Sequence, residues 1–317
     1  MIASTAHRAA ACCLGALIVV SGMHAARADT VTDWNQTAVR ATEIANAPVP
    51  VQMRVMAIVH AAIFDAVNAI EGKYTGYAVE VASAPGASSE AAAAAAAHGI
   101  LERLFPPQKA MIDTALGSSL KGIPDGPAKA EGMRVGREVA EKLFALRKDD
   151  GAAAPASYEF DKGAGVYQAT PPMNMKPILP HWRSVKPFVL TSPKQFPVAG
   201  PPAPDSATFA KDFNEVKRLG SKGSTERTSE QTAIAIHWVG SEVPPLNGIA
   251  RAVSAAKKLN LSDNARFFAV LNMAMADSLI AGFEAKYAYN YWRPVTAIRN
   301  AGLANNPAVS ADPAWDP

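Results

Sequence analysis

Apolar residues recur at helical spacing along most of this chain. Val55, Met56, Val59, Ile63, Ala66, Val67 and Ile70 follow three- and four-residue steps, and Gly72 closes the run. Before it, Asp33 can cap a helix to about residue 45, broken by Pro48 and Pro50. Ser88 or Ser89 can cap an alanine-rich helix over 90–105, stopped by Pro106. Pro107 suits the first turn of a helix to about 120, and a further helix covers 125–147 along Val135, Val139, Leu143 and Leu146. The unbroken alanines at 91–97 combine high helix propensity with small side chains, which predicts close helix packing. Later helices are expected over 206–219, from Thr228 through a capping box with Gln231, over 247–259, and from Ser262 onward. On the last of these, Phe268, Leu271, Met275, Leu279 and Gly282 form the expected buried seam. No convincing alternating strand pattern and no repeat at a fixed period is found, so the expected class is mostly α, a helical bundle.

The periodicity vanishes between residues 151 and 205, where eleven prolines fall. Tyr158, Phe160, Tyr167, Trp182, Phe188 and Phe196 in this stretch predict an ordered, irregular wrap across the bundle, not a disordered linker.

The chain has 317 residues, 49% of them hydrophobic, enough for a sizeable core. Its formal charge of +3 with no basic stripe argues against nucleic acid as a partner. Residues 1–28 read as a secretory signal: Arg8, a short apolar run from Ala9 to Gly22, and Ala26-Arg27-Ala28 as a cleavage site before Asp29. Cys12 and Cys13 both fall inside it. The expected product is residues 29–317, exported to the periplasm or medium, without cysteine and without a membrane span. A homo-oligomer is compatible with this composition.

The candidate chemistry lies late, in Lys286-Tyr-Ala-Tyr-Asn-Tyr-Trp-Arg293-Pro294. On a continuous helix, Lys286 and Arg293 would stack two turns apart on one line. A guanidinium fork and an ammonium together suit a tetrahedral oxyanion. The same spacing also arises where two long cations snorkel to water near a helix C-terminus. Tyr287, Tyr289, Tyr291 and Trp292 around the pair favour a built site, and Pro294 pushes Arg293 out of α geometry. His60 and His237 read as core or rim histidines in apolar helical patterns, and His181-Trp182-Arg183 as a segment reaching towards a pocket mouth. No H-E-x-x-H, G-x-S-x-G or P-loop is present. Asp277 falls out of phase with Lys286 and reads as a buried hydrogen-bonding residue between helices; Arg299 reads as a surface residue, or less favourably as a rim cation.

His60-Ala-Ala-Ile-Phe-Asp-Ala-Val-Asn68, the segment 264–277 and Lys286 through Arg299 resemble bacterial vanadium-dependent haloperoxidase-like proteins. Those belong to the type 2 phosphatidic acid phosphatase superfamily, whose first signature, K-x6-R-P, is matched by Lys286, Arg293 and Pro294. The resemblance spans nearly all of residues 29–317. It implies a vanadium haloperoxidase or acid phosphatase type of bundle, with Lys286 and Arg293 holding the oxygens of phosphate or vanadate. It also implies a histidine bound to the central atom, a second histidine as acid/base, and either phosphoester hydrolysis or peroxide-dependent halide oxidation.

The second and third signatures, P-S-G-H and S-R-x5-H, have no counterpart in these 317 residues. The expectation is therefore an N-terminal part of such a protein, its catalytic C-terminal segment absent and the chain inactive alone. The alternative is a short anion-binding or assembly protein completed by a partner chain.

Overall fold

The computed structural model describes residues 29–161 and 163–317. The expected secretory segment, residues 1–28, lies outside the described residues.

Ten α-helices carry the described chain: α1 Thr30–Ile44, α2 Val49–Glu71, α3 Ser89–Leu104, α4 Lys109–Leu120, α5 Pro127–Arg147, α6 Ala207–Leu219, α7 Ser229–His237, α8 Val243–Lys257, α9 Leu261–Tyr289 and α10 Pro294–Arg299. Among the described residues the only extended pairing is an isolated antiparallel bridge between Val166 and Tyr291. The mostly α reading holds.

α2 runs through the middle of the bundle, flanked by α3, α5 and α9. Nearly all its residues from Val55 to Val67 are buried, which explains why it lacks a clean polar face. Every alanine from 91 to 97 is buried on α3, against Gly132 and Gly136 of α5. Small side chains on both helices let the backbones approach, as the alanine run suggests.

Several helix starts lie two to four residues before the sequence reading. Asp29, not Asp33, caps α1, its carboxylate accepting from Thr32 N–H at 2.9 Å. Asn260, not Ser262, caps α9 through Asp263 N–H. α8 begins at Val243, because Pro244 and Pro245 occupy its first turn, where a missing N–H costs nothing. Ser88, Ser206 and the Thr228–Gln231 capping box sit as expected.

The seam of α9 is rotated. Phe268 is buried, but the rest of the buried line runs through Ala265, Asn272, Met273, Ala276, Asp277, Ile280 and Phe283. Leu271, Met275 and Leu279 are only partly buried and Gly282 is exposed. Both α2 and α9 reach the length and hydropathy of a membrane span; 78% of the apolar window of α2 and 44% of that of α9 are buried within the protein.

The irregular segment 151–205 does pack as a wrap. Trp182 and Val185 bury against Ile280 and Phe283 of α9, and Phe188 joins the main core. Phe196 is an exception, 68% exposed. A further small core gathers Phe209, Phe213, Trp292, Ile298 and Trp315 around α6 and α10.

Candidate oxyanion site

α9 ends at Tyr289 because Asn290 takes the left-handed conformation, φ 47° and ψ 44°, with its N–H donating to the Lys286 carbonyl. Four residues on, Pro294 opens α10 at a position that needs no N–H and holds Arg293 extended, φ −78° and ψ 154°. Lys286 and Arg293 are therefore not stacked on one helix. The chain breaks between them, and the idealised two-turn line is replaced by a helix end followed by a helix start.

Even so, both face one cavity of about 690 Å³. Its walls come from the break itself and from the wrap: Tyr287, Tyr289, Asn290 and Tyr291 from the first, and Tyr158, Tyr167 and residues 170–173 and 175–178 from the second. Lys176 adds a third cation, and among the described residues no Asp or Glu lines the space. Among the described residues neither Lys286 nor Arg293 makes an ion pair or a side-chain hydrogen bond. The Lys286 ammonium lies 5.0 Å from the Phe283 ring centroid and 5.5 Å from that of Tyr287. Partial desolvation here, with the nearby Arg293 charge, lowers its pKa although the residue stays exposed. The Tyr287 phenol is pushed up to about 12, chiefly by burial and then by Tyr167 and Tyr158.

The alternate tyrosines fix the cavity's shape. Tyr287 Oη donates to the Ile178 carbonyl at 2.6 Å, Tyr289 Oη to Val198 at 2.5 Å and Tyr291 Oη to Pro202 at 3.1 Å. Backbone bonds close the bridge: Tyr167 N–H to Asn290 O at 2.8 Å and Trp292 N–H to Gly165 O at 2.9 Å. Gly165, at φ +77°, is needed there, since it adopts the left-handed region with Pro204 and Tyr291 alongside. The Tyr158 hydroxyl bonds Asn290 Oδ1. One segment thus carries two of the cations, both exposed, and ties down the wrap beside them.

The other sequence candidates lie elsewhere. Asp277 is buried as expected, but it binds the wrap, not a neighbouring helix: its carboxylate accepts from the amides of Phe188, Val189 and Leu190. Of His181-Trp182-Arg183, none lines the cavity. His181 pairs with the Ala152 carbonyl and Trp182 is core, while Arg183 donates to the Tyr287 carbonyl and approaches Glu284. Arg299 donates to the Trp315 carbonyl, away from the cavity, so the rim role is set aside. His60 is a core residue, fully buried and in hydrogen-bonding contact with Asn35 Nδ2. His237 sits on α7, which has no buried residue. No histidine among the described residues lines the cavity. Sequence reasoning missed the wrap's contribution, Tyr158, Tyr167, Met173, Met175 and Lys176; the aromatics in an aperiodic stretch were its only signal.

Comparison with known proteins agrees with this architecture. Residues 266–314 match the family model described as the VCPO second helical-bundle domain, a stretch that includes both Lys286 and Arg293. The chain is 25% identical over 253 residues to the vanadium chloroperoxidase of Curvularia inaequalis, covering 65% of this chain and 40% of that protein. Two solved structures share the fold. A bacterial vanadium-dependent iodoperoxidase superposes with TM-score 0.68 at 21% identity, over 90% of this chain and 75% of the other. A holo-type bacterial vanadium-dependent chloroperoxidase gives 0.63 at 18% identity, over 80% and 64%. The chain thus spans less than half the length of the fungal relative.

Proposed function

We propose that this vanadium haloperoxidase-like chain holds a phosphate or vanadate oxyanion between Lys286 and Arg293. The observation that carries this reading is the convergence of two cations, neither with an anionic partner among the described residues, on one cavity whose lining has no carboxylate. Two like charges near each other raise each other's electrostatic free energy, and the lowered Lys286 pKa reflects that together with partial desolvation. A bound dianion reverses the sign of the local potential. The donor set fits: Arg293 offers a planar fork, and Lys286 offers donors that rotate to meet a third oxygen.

Lys286 and Arg293 would hold and orient such an oxyanion and offset its negative charge. Vanadate, when bound, supplies the peroxide-dependent oxidation of halide for which the relatives are named. Lys286 holds its proton for the anion at Nζ. The cavity residues supply no histidine to bond the central atom or to move a proton, so the 317-residue chain binds the oxyanion without turning it over. An exported location, periplasmic or secreted, belongs to the same proposal and is supported by the sequence of residues 1–28.

The test is assay of the purified chain for phosphate release and for vanadate-supported, peroxide-dependent halide oxidation, alongside vanadate and phosphate titration. Binding without turnover is expected. Turnover at ordinary enzyme rates overturns the inactive part of the proposal, and absence of binding overturns the site.

A further inference from the structure

Resting on the oxyanion reading above, we propose that Asn290 is a positioning residue: held by three residues of the wrap, it sets the spacing between Lys286 and Arg293. The helix that carries the first cation stops at this residue, and the extended stretch that carries the second sets out from it. Its side chain bonds the wrap and not the cations, so its part is to hold the angle between two pieces of chain.

Each hydrogen-bonding group of Asn290 is engaged. Its N–H donates to the Lys286 carbonyl at 3.1 Å, on the residue that bears the ammonium. Its carbonyl accepts the Tyr167 N–H at 2.8 Å. Its Oδ1 accepts from the Tyr158 hydroxyl, and its Nδ2 donates to the Asp161 carboxylate at 3.0 Å. A carboxylate only accepts, so the partners themselves fix which way the amide points. Gln168 Nε2 holds the Asp161 carbonyl in turn, at 3.0 Å. A left-handed residue ends a helix with its backbone alone. The two side-chain bonds are additional, and they pin the near side of the break, next to Lys286. The Trp292 N–H bond to the Gly165 carbonyl pins the far side, next to Arg293. The lever between them is long. Arg293 lies three residues on, about 10 Å of extended chain. A swing of about 15° at Asn290, within ordinary backbone scatter, would shift it by about 2.5 Å relative to Lys286. A charge-assisted hydrogen bond does not survive such a shift, so two cations serve one small ion only while the angle is held.

Two measurements on the full chain test this, in wild type, Asn290→Gly and Tyr158→Phe. Glycine keeps the left-handed turn at no steric cost but loses both side-chain bonds, and the phenylalanine loses one of them. The first measurement is the NMR titration of the Lys286 ammonium, its signal assigned by its loss in Lys286→Arg. Arg293 contributes to the lowered Lys286 pKa, and two like charges move apart when released. The Lys286 midpoint should therefore rise towards the ordinary lysine range in both variants, further in Asn290→Gly, with the amides of α2 and α5 protected as in wild type. The second is vanadate affinity, which should fall about fivefold in Asn290→Gly. A Lys286 midpoint unmoved in both variants overturns the positioning role, whatever the anion does. A raised midpoint with unchanged vanadate affinity shows the spacing to be immaterial to binding and overturns it equally. Wild type that binds no vanadate, with the midpoint raised in the variants, overturns the oxyanion reading and leaves the hold of Asn290 on the two cations standing.

Discussion

Asp65 on α2 and Asp277 on α9 play the same part on two packed neighbours: each carboxylate gathers three consecutive backbone amides of a crossing loop. Asp65 accepts from Tyr77, Ala78 and Val79 at 2.6, 3.0 and 3.0 Å. Asp277 accepts from Phe188, Val189 and Leu190 at 2.6, 2.7 and 2.9 Å. Tyr77 Oη then donates to the Phe188 carbonyl at 2.8 Å, joining the two loops. The wrap that walls the cavity is therefore anchored in the core as well as at the tyrosines. Removing a carboxylate that satisfies buried amides strands those donors, so Asp277→Ala should cost about 3 kcal/mol in denaturant unfolding. A loss below about 1 kcal/mol would mean the wrap does not depend on it.

Tyr287→Phe removes the hydroxyl that reaches Ile178 and nothing else. Global stability should fall by only about 1 kcal/mol. Local opening should increase, read as faster amide exchange around residues 170–180 with the bundle helices unchanged. Unchanged exchange there would show that the tether is dispensable.

The contact of α3 with α5 predicts opposite signs for two glycines. A Cβ on Gly136 would lie 2.2 Å from the Ala92 carbonyl oxygen and 2.8 Å from the Ala95 Cβ. Gly136→Ala should thus destabilise by about 2 kcal/mol through overpacking, against alanine's better helix propensity. Gly117 on α4 has nothing within 4 Å of the same atom. Gly117→Ala should stabilise by up to about 1 kcal/mol. Thermal unfolding of the two variants decides it: equal effects refute the close approach.

His60 gives a pH signature. Burial, with a smaller contribution from Arg251, depresses its pKa from 6.5 to about 3. Between those values the unfolded chain holds a proton that the folded one refuses. Stability from this group is present above pH 6.5 and is lost as pH falls, at about 1.4 kcal/mol per unit. The ring also stacks on Phe268, with centroids 5.2 Å apart. His60→Gln should lower stability at neutral pH yet flatten the acid slope between about pH 6.5 and 4. An unchanged slope would place the titration elsewhere.

Much of the bundle was legible because 3.6-residue periodicity and caps are local. Ser88, Ser206 and the Thr228–Gln231 box announce their helices within four residues. The break after Tyr289 was not legible as a break. Asn290 is a residue type that ends helices in the left-handed conformation, and the bridge of Tyr291 to Val166, a contact more than a hundred residues away, accompanies the break. The K-x6-R-P spacing picked out two cations that line one cavity, but not for the reason of a shared helix line, since Arg293 reaches the cavity from a helix start. The rotated seam of α9 has a similar cause: Asp277 and Asn272 face inward because loops and a polar network wait for them, which hydrophobicity alone cannot reveal. The wrap's side of the cavity depends wholly on such long-range contacts.

The central claim is that Lys286 and Arg293 jointly grip one oxyanion. The direct measurement is vanadate affinity of the wild-type chain, Lys286→Ala, Arg293→Ala and the double variant across pH. The account predicts a loss of at least about tenfold for each single change. The double variant should lose less than the sum of the two, and wild-type affinity should fall as pH rises through the lowered Lys286 pKa. Wild-type binding that survives both substitutions, or losses in only one of the two, would contradict a shared site.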